Sequence, residues 1–388
     1  MSSAGNSSNS DGMFSHNPGL VSHSDGTFPR YSASTSRTNR IVQSDLIALL
    51  SIIQKCDVDY LPITWQPALS ALGVGASGTI SQSTFITEKP LAFKRFHDSD
   101  NPDVGFLPMM SEVLILSQPP IRNHPNIVDL EGICWEIKPS TEKAVPVLVF
   151  ERATWDLQQF MNVREGMDMS FEDRLKICAD VGDAIMALHA YGLSIHQMRV
   201  PPFKSDKDIG VIHGDIKPQN VLVFKDAITR KITVKVADFG YSTLTVGESG
   251  KVLLPKSRPW NAPEHHFGEF KVQEAKKTDV YSFGMLCLWI LFENRLSNFQ
   301  QTTADGVTGF ISFDIPFSRG RPTLLERLKD EDRLEDIANH LLGSMPGLNV
   351  DPEYTIRLKE IFSVTLPHNP GKRTRDLEIV IGLFSQKK

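Results

Sequence analysis

The chain has 388 residues, 40% of them hydrophobic, and a formal net charge of −5. A chain of this length and composition can bury one large core or two lobes. Its slightly acidic balance gives no general reason to expect nucleic acid or an anionic membrane surface as a partner. We therefore predict a globular protein whose partners do not include nucleic acid.

Cysteine spacing and hydropathy bear on the cellular compartment. The four cysteines lie far apart and form no CxxC pair, which in a chain of this size indicates free thiols in a reducing compartment. Residues 1–10 are polar and lack the apolar core of a signal peptide. The longest apolar run, residues 283–292, is too short to span a bilayer and predicts a buried helix. We expect no membrane span and a cytoplasmic location, with the nucleus as an alternative.

The first sixty residues divide into two predicted segments. Residues 1–40 are rich in Ser, Asn, Gly and His and bury too little apolar surface to offset their ordering entropy, which predicts a disordered tail. Residues 41–60 form a predicted helical lead-in segment, because Leu49, Leu50 and Ile53 recur at helical spacing. We expect this helix to pack on, or lead into, the folded domain. The alternative is a separate helix that binds a regulatory partner.

Between residues 61 and 388 the pattern changes from strands to helices. Alternating segments bounded by turn residues predict strands in the first part, and helical periodicity dominates the second. This order predicts an α+β fold with a small β-rich lobe, about 61–151, and a larger helical lobe, about 152–388. The predicted strands cover 68–75, 78–85, 90–96, 127–134, 145–150, 221–224 and 232–237, and the clearest helices cover 108–117 and 170–190.

A glycine-rich segment lies between the first two predicted strands. Gly73, Gly75 and Gly78 fit the pattern GxGxxG, which alone is weak evidence because dinucleotide-binding turns and many loops share it. A dinucleotide-binding motif opens a helix, whereas here a β-rich segment follows, with Lys94 in a third strand. Glycines let a backbone approach a triphosphate closely. The segment therefore predicts a phosphate-binding loop, and its flanks exclude a nucleotide-dependent dehydrogenase.

Three short motifs follow in order: HGDIKPQN at residues 213–220, DFG at 238–240 and APE at 262–264. Each is common alone, but their joint occurrence in this order is rare. Together they supply a candidate base, two candidate metal ligands and an anchor for the segment between them, as phosphoryl transfer from ATP requires. From about residue 72 to about residue 383 the chain resembles the eukaryotic protein kinase superfamily. The likeness is to the serine/threonine type, with a tyrosine-kinase-like appearance and an HGD variant of the catalytic loop.

The resemblance implies a bilobal kinase fold and transfer of the γ-phosphate of ATP to Ser/Thr hydroxyls of protein substrates in intracellular signalling. Asp215 is then the acceptor of the substrate hydroxyl proton, and Lys217 neutralises charge that develops on the phosphate. Lysine at position 217 is typical of the serine/threonine type. Lys94 is expected to pair with the α- and β-phosphates, with Glu112 on the following helix as its ion-pair partner.

Nucleotide and metal contacts are implied by the same resemblance. Asn220 and Asp238 are the expected Mg²⁺ ligands, because their oxygen atoms are hard donors for a hard ion. Phe150 is expected at the back of the adenine pocket, and its size predicts that the deeper pocket is closed. The residues expected to contact ATP are Gly73, Gly75, Gly78, Ile80, Ala92, Lys94, Phe150, Glu151, Ala153, Leu222 and Asp238.

The resemblance also implies contacts that hold the site in place. A buried pair between Glu264 and Arg373 is expected to anchor the end of the activation segment, residues 238–264. Asp279 is expected to brace the catalytic loop, and Ser257 to bond the catalytic aspartate and lysine. A stack of side chains joining the two lobes is expected from Leu116, Leu130, His213 and Phe239.

One departure from the family pattern concerns regulation. Gly214 replaces the arginine that most kinases carry before the catalytic aspartate, which normally pairs with a phosphate on the activation segment. We therefore predict that activity does not require phosphorylation of that segment. The candidate acceptors are Tyr241, Ser242, Thr243, Thr245 and Ser249.

The other departure is an insertion. Residues 194–210, a polar stretch with Pro201 and Pro202, intervene where kinases run almost directly from a long helix into the strand before the catalytic histidine. Loop entropy tolerates the extra length, since doubling a loop costs only about 0.6 kcal/mol. The insertion is a surface excursion, a translated intron or another gene-model error. If it is genuine and displaces residues 211–213, catalysis suffers even with every motif intact.

Three functional hypotheses fit these observations. An active protein kinase is the leading one. A pseudokinase that serves as a nucleotide-binding interaction or switch module is the alternative, which the insertion and Gly214 leave open although no motif residue is lost. A small-molecule kinase of related fold is the third, and the APE motif at 262–264, which positions peptide substrates in the family, argues against it.

Overall fold

The computed structural model describes most of the chain from residue 45 onward. The predicted tail 1–40, residues 194–209 of the insertion and Gly75 lie outside the described residues, so the predictions made for them stay predictions. The described ranges are 45–65, 71–74, 78–82, 90–96, 106–138, 143–190, 210–245, 251–313, 322–345, 352–374 and 376–384.

The described ranges contain both helices and strands. The helices are α1 (Asp45–Lys55), α2 (Leu107–Leu116), α3 (Leu157–Met161), α4 (Arg164–Met167), α5 (Phe171–Ala190), α6 (Val272–Leu296), α7 (Leu324–Asp330), α8 (Leu334–Gly343), α9 (Pro352–Thr365) and α10 (Leu377–Phe384). The strands are β1 (Tyr60–Trp65), β2 (Ala71–Val74), β3 (Gly78–Gln82), β4 (Leu91–Phe96), β5 (Leu130–Lys138), β6 (Lys143–Glu151), β7 (Trp155–Asp156), β8 (Gly210–Ile212), β9 (Val221–Lys225), β10 (Ile232–Val236), β11 (Thr243–Thr245), β12 (Lys251–Leu253), β13 (Glu269–Lys271), β14 (Gln300–Thr302) and β15 (Thr308–Phe310).

A six-stranded sheet forms the smaller lobe, in the order β1-β5-β6-β4-β3-β2. Neighbours are antiparallel except β1 and β5, which run parallel. Side chains of β6 alternate between the two faces, as strand geometry requires: Val147 and Val149 pack with Phe93, while Leu148 belongs to the main core. Lys94 pairs with Leu148 across β4 and β6, so its side chain lies on the face toward the main core.

Strand β1 was not among the predicted strands. Pro62 interrupts its apolar pattern, and proline cannot donate a hydrogen bond to a neighbouring strand. The structure places β1 at the edge of the sheet, where a missing donor is tolerated. The sheet therefore gains a strand whose signal was hidden by one residue.

Helices dominate the larger lobe, with α5 and α6 packed against each other. The backbone N–H of Asp173 donates to Ser170 Oγ at 3.1 Å, which caps the start of α5 as predicted. Most of α6 is buried on all sides, and it contains the apolar run 283–292. Within the described part of the chain, no helix is long and apolar enough to cross a membrane.

The hairpin β9–β10 sets the position of the site in the larger lobe. Val221 pairs with Val236, so the residue before β9 and the residues after β10 meet at one end of the hairpin. A β-rich lobe is thus followed by a helical lobe, and the predicted α+β class is confirmed.

Candidate active site

Lys94 stands between two carboxylates that come from different elements. Its Nζ donates to Glu112 Oε2 at 2.7 Å and Oε1 at 3.0 Å, and to Asp238 Oδ1 at 2.8 Å. Glu112 lies on α2 and Asp238 follows β10, so the contacts join the smaller lobe to the larger one. Lys94 and Glu112 are only 4% and 1% exposed. We call Lys94, Glu112 and Asp238 the front cluster.

The front cluster carries more negative than positive charge. Burial alone would lower the pKa of Lys94, but the charges of Asp238 and Glu112 outweigh it and raise that pKa, so the lysine stays an ammonium. Burial raises the pKa of Glu112, an effect that the charge of Lys94 opposes. One ammonium facing two carboxylates leaves the cluster one negative charge in excess when both carboxylates are ionised.

Phe239 continues the link between the lobes. Its backbone N–H donates to Glu112 Oε1 at 3.3 Å, and its ring meets the His213 ring edge-on with centroids 5.1 Å apart. His213 Nε2 in turn lies 3.0 Å from the Ala237 carbonyl oxygen. Phe239 and Leu116 both belong to the main apolar cluster, and Leu130 packs against that cluster. Of the predicted stack, the structure shows the contact between His213 and Phe239, and the contacts of Leu116 and Leu130 with these two rings stay a prediction.

One buried carboxylate, that of Asp279, holds the catalytic loop in place. The backbone N–H groups of His213 and Gly214 donate to Asp279 Oδ2 and Oδ1 at 2.8 and 2.7 Å. Asp279 lies on α6 and braces the loop as the resemblance implies, and His189 at the end of α5 is 3.0 Å from the same carboxylate. The catalytic loop is therefore fixed in place directly after β8, the strand at which the insertion ends in the sequence.

Asp215 is surrounded by groups that donate to its carboxylate. Lys217 Nζ lies 2.7 Å and Asn220 Nδ2 2.9 Å from Oδ2, and Ser257 Oγ donates to Oδ1. Lys217 Nζ also donates to Ser257 Oγ at 3.3 Å. Because both carboxylate oxygens are engaged, the orientation of Asp215 is set by three side chains.

Asn220 and Asp238 are brought together by the backbone. The Ala237 N–H donates to the Asn220 carbonyl oxygen at 2.9 Å, which places Asp238 beside the end of the Pro218–Asn220 turn. Asn220 uses its side-chain nitrogen on Asp215, and its Oδ1 takes no hydrogen bond from the residues that the structure describes. Asp238 has φ +65°, a left-handed conformation that few non-glycine residues adopt.

A carboxylate and a free amide oxygen suit a cation that keeps part of its shell of water and substrate oxygens, as Mg²⁺ does. No group of three or more His, Cys, Asp and Glu side chains in the described ranges could hold a metal by itself. The excess negative charge of the front cluster favours a cation beside Asp238. The residues present therefore fit a Mg²⁺ site with few protein ligands.

The predicted adenine-side residues lie on neighbouring strands. Ile80 pairs with Lys94 across β3 and β4, and Ala92 pairs with Phe150 across β4 and β6. Leu222, on β9, approaches from the larger lobe and is half-buried. The structure thus places Ile80 beside Lys94 in the sheet, and the contacts of Ala92, Phe150 and Leu222 with a nucleotide stay predictions.

The glycine-rich segment shows one clear steric requirement. A Cβ on Gly78 would lie 2.0 Å from the Arg95 carbonyl oxygen, so no other residue fits against β4 at that point. Gly73 is part of β2, and its role toward a nucleotide stays a prediction. Glycine at position 78 is therefore required for the pairing of β3 with β4, in addition to any role in binding a ligand.

Glu151 is one of the residues expected to contact ATP, but its side chain is engaged by the protein. Lys235 Nζ lies 2.5 Å from Glu151 Oε1 and 2.7 Å from Asp129 Oδ2, and the Asp129 N–H donates to Glu151 Oε1 at 3.2 Å. Any nucleotide contact of Glu151 therefore falls to its main chain, and the same holds for Ala153, whose side chain is a methyl group. Lys235 was not predicted, because it is a polar residue in an alternating strand and such residues usually face solvent.

The end of the activation segment is tied to the core of the larger lobe. Arg373 Nη1 and Nη2 donate to Glu264 Oε1 and Oε2 at 2.5 and 2.8 Å, so the predicted pair is present and bidentate. Lys329 on α7 donates to the carbonyl oxygens of Pro259, at 3.0 Å, and Asn261. We call residues 257–264 the docking loop. Lys329 escaped prediction because a lone helix lysine carries no motif.

The backbone conformation at position 214 strongly favours glycine. Gly214 has φ +77°, and a Cβ there would lie 2.8 Å from Leu254 Cδ2. Ser242, one of the candidate acceptors, is only 6% exposed, and its Oγ donates to the His213 carbonyl oxygen at 3.2 Å. The structure therefore removes Ser242 from the set of accessible phosphorylation sites.

Comparison with known proteins agrees with this geometry. A family model described as the protein kinase domain matches residues 68–362. The match covers most of the chain and includes the front cluster, the catalytic loop and Glu264. The chain belongs to the protein kinase family.

Its relatives in Arabidopsis thaliana are receptor kinases and a receptor-like kinase. Wall-associated receptor kinase-like 14 is 29% identical over 222 residues, 57% of this chain and 27% of the relative. Wall-associated receptor kinase 3 is 27% identical over 297 residues, 75% of this chain and 35% of the relative. Calmodulin-binding receptor-like cytoplasmic kinase 1 is 27% identical over 240 residues, 61% of this chain and 45% of the relative. The chain thus spans less than half the length of these curated relatives.

Proposed function

We propose that this chain is an ATP-dependent protein kinase that transfers the γ-phosphate of ATP to Ser/Thr hydroxyls of protein substrates in intracellular signalling. The observation that carries the proposal is the set of contacts around Asp215, whose carboxylate is held by Lys217, Asn220 and Ser257. A carboxylate oriented in this way can accept the proton of a hydroxyl and direct its oxygen toward the reacting phosphorus.

Lys217 supports the choice of a serine or threonine acceptor. Its Nζ lies between Asp215 and Ser257, which places a positive charge next to the base. As the hydroxyl proton moves to Asp215, Lys217 can stabilise the negative charge on the transferred group. Family members that act on tyrosine usually differ at this position.

Lys94 and its partners support nucleotide binding. The raised pKa of Lys94, set by Asp238 and Glu112 against the effect of burial, keeps it cationic and able to bind phosphate oxygens. Glu112 fixes its position from α2. Asp238 and Asn220 are the residues that would hold Mg²⁺, which when bound neutralises charge on the phosphates.

The docking loop supports a protein rather than a small molecule as acceptor. Glu264, through Arg373, and Lys329, through two carbonyl groups, hold this loop beside Asp215. Ser257, at its start, contacts the catalytic aspartate directly. A rigid loop next to the base offers backbone and side chains for an extended peptide to lie against.

An ATP–Mg²⁺ assay with a generic Ser/Thr acceptor tests the proposal, comparing the wild type with Asp215→Asn and Lys94→Met. We expect transfer by the wild type and a loss of about 10²- to 10⁴-fold in kcat for Asp215→Asn, because the base is removed. A matched tyrosine peptide should be a poor acceptor. Nucleotide binding is measured on the same samples.

Two results would contradict the proposal. A wild type as inactive as both variants, yet able to bind nucleotide, would identify a nucleotide-binding switch module instead. Equal transfer to tyrosine and serine peptides would overturn the acceptor class while leaving phosphoryl transfer in place.

We also propose a cytoplasmic location. All four cysteines are free thiols, which supports a reducing compartment. Imaging of a fluorescent fusion of the full chain tests this, and accumulation in an oxidising compartment would contradict it.

A further inference from the structure

Residues 45–65 precede the part of the chain that matches the protein kinase domain, which begins at residue 68. Even so, α1 packs directly against α2, the helix that carries Glu112. Leu49 and Ile53 are fully buried and belong to the same apolar cluster as Met109 and Val113 of α2. The segment outside the family match therefore contacts the element that supplies one member of the front cluster.

The buried residues of α1 and of α2 are spaced so that each set lies on one face of its helix. Leu49 and Ile53 are four residues apart and so project from one face of α1. Met109 and Val113 have the same spacing on α2, and Glu112 is next to Val113. A shift of α2 away from α1 would thus move Glu112 relative to Lys94.

Helix α2 is short and has few capping or charge interactions that would stabilise it by itself. It has 10 residues, its N-cap Phe106 makes no side-chain cap, and its first turn has no acidic and its last turn no basic residue. Helices this short are marginal unless tertiary packing stabilises them. The packing of α1 is consequently a substantial part of what fixes the position of α2.

The segment is attached at its other end as well. The Ile133 N–H donates to the Asp59 carbonyl oxygen at 2.9 Å, and β1 then pairs with β5 of the sheet. Residues 45–65 therefore connect α2 to the sheet that carries Lys94.

We propose that Leu49 and Ile53 are positioning residues for Glu112, through which residues 45–65 hold α2 where the Lys94–Glu112 pair forms. The activity readout of this proposal rests on the proposed kinase function. The position of α2 does not, and it is measured separately.

A double-mutant cycle in the full chain tests the proposal. Leu49→Ala with Ile53→Ala is made in the wild type and in Glu112→Gln, where the ion pair is already broken. We expect kcat/KM to fall about tenfold or more in the wild-type background and less than about twofold in the Glu112→Gln background. Ile47→Ala is the matched control, because Ile47 lies on the same helix but is 63% exposed. It should leave kcat/KM unchanged, and the volume-conserving Leu49→Met should restore most of the activity lost on Leu49→Ala.

Equal losses of kcat/KM in both backgrounds would overturn the proposal, because Leu49 and Ile53 would then act on stability alone. If the double variant does not fold at the assay temperature, Ile53→Val, which removes a single methyl group, is put through the same cycle. The same two outcomes then decide.

Hydrogen exchange of the α2 amides gives a readout that needs no catalysis. We expect the Leu49/Ile53 double variant, or Ile53→Val in its place, to speed exchange across Leu107–Leu116 while leaving the β9–β10 hairpin unchanged. Unchanged exchange in α2, or equal acceleration in both regions, would overturn the positioning role. If the wild type shows no phosphoryl transfer, the proposed kinase function is wrong. The hydrogen-exchange measurement still decides whether Leu49 and Ile53 position α2.

Discussion

Two buried ion clusters, one at each end of the activation segment, use the same chemistry to different effect. The front cluster places Lys94 between Glu112 and Asp238, from three elements in two lobes. The rear pair, Glu264 and Arg373, lies within the larger lobe and joins its carboxylate to a guanidinium in a bidentate contact. The front cluster has one negative charge in excess, whereas the rear pair is neutral overall.

Hydrogen-bond partners extend this difference. Arg373 also donates to the carbonyl oxygens of Pro367 at 2.8 Å, His368 at 2.9 Å and Lys277 at 3.2 Å, so its donors are well satisfied. The Asp238 carboxylate is 24% exposed and can meet a ligand. A neutral, satisfied pair suits a permanent anchor, and an unbalanced, partly open cluster suits a site that binds a charged ligand.

Of changes to the two ion clusters, Lys94→Met should produce the larger effect on activity. Removing this cation from a phosphoryl-transfer site should lower kcat by about 10²- to 10³-fold. The accompanying loss of stability should be smaller than for the rear pair, because burial already raises the pKa of Glu112 and the carboxyl can take up a proton. Activity assays and denaturant unfolding of the same preparation check both parts. An unfolding loss as large as that of Arg373→Met would contradict the distinction.

Arg373→Met should produce the largest effect on stability. Breaking one side of a buried pair leaves Glu264 uncompensated and should cost about 3–5 kcal/mol in the free energy of unfolding. Lys372→Met is the matched control, since Lys372 is the exposed neighbour of Arg373, and it should change stability by less than about 0.5 kcal/mol. Urea unfolding curves give both values. Similar losses for the two variants would argue against the rear pair as an anchor.

His265, next to Glu264, should make the larger lobe sensitive to acid. Burial lowers the pKa of His265 to about 4, and among the residues that the structure describes neither ring nitrogen has a hydrogen-bond partner. The unfolded chain binds the proton first, so the stability linked to this group is complete above about pH 6.5 and is lost as pH falls toward 4. At pH 5 the loss should reach about 2 kcal/mol relative to pH 7.

The variant His265→Phe isolates this effect, because phenylalanine retains an aromatic ring next to Phe270 and cannot take up a proton. The difference in unfolding free energy between wild type and variant should grow in favour of the variant from pH 7 to pH 5. A difference independent of pH would show that His265 does not titrate as proposed.

Alanine at the activation-segment acceptors other than Ser242 should have the smallest effect. Gly214 cannot pair with a phosphate, so simultaneous replacement of Tyr241, Thr243, Thr245 and Ser249 should change kcat/KM by less than about threefold. Ser242 is left in place because it is buried. Abolished activity with an unchanged melting temperature would contradict the prediction and show that phosphorylation of this segment is required.

Sequence reasoning was strongest where chemistry restricts the residue type. Asp215, Asn220 and Asp238 could be named because phosphoryl transfer needs a base and oxygen ligands, and the motifs shared with the kinase family show which residues these are. The structure places these residues around the ends of one hairpin. The Glu264–Arg373 pair could be named because the resemblance to the kinase family implies it, although its two members are far apart in sequence.

Sequence reasoning was weakest where a role depends on a distant contact. Lys329 looks like an ordinary helix lysine until the docking loop is seen against it. Lys235 looks like a solvated strand residue until Glu151 and Asp129 are found beside it. The steric need for Gly78 arises from the neighbouring strand and not from the glycine motif. Such roles come from packing, which no local pattern records.

The most direct measurement is calorimetric titration of ATP, with and without Mg²⁺, into the wild type, Lys94→Met and Asp238→Asn. If the two lobes converge on one nucleotide, Mg²⁺ should tighten ATP binding in the wild type. Asp238→Asn should lose that gain but keep binding of free ATP, whereas Lys94→Met should weaken binding of free ATP as well. Identical affinities in all three proteins, with or without Mg²⁺, would contradict the convergence of these groups on a common ligand.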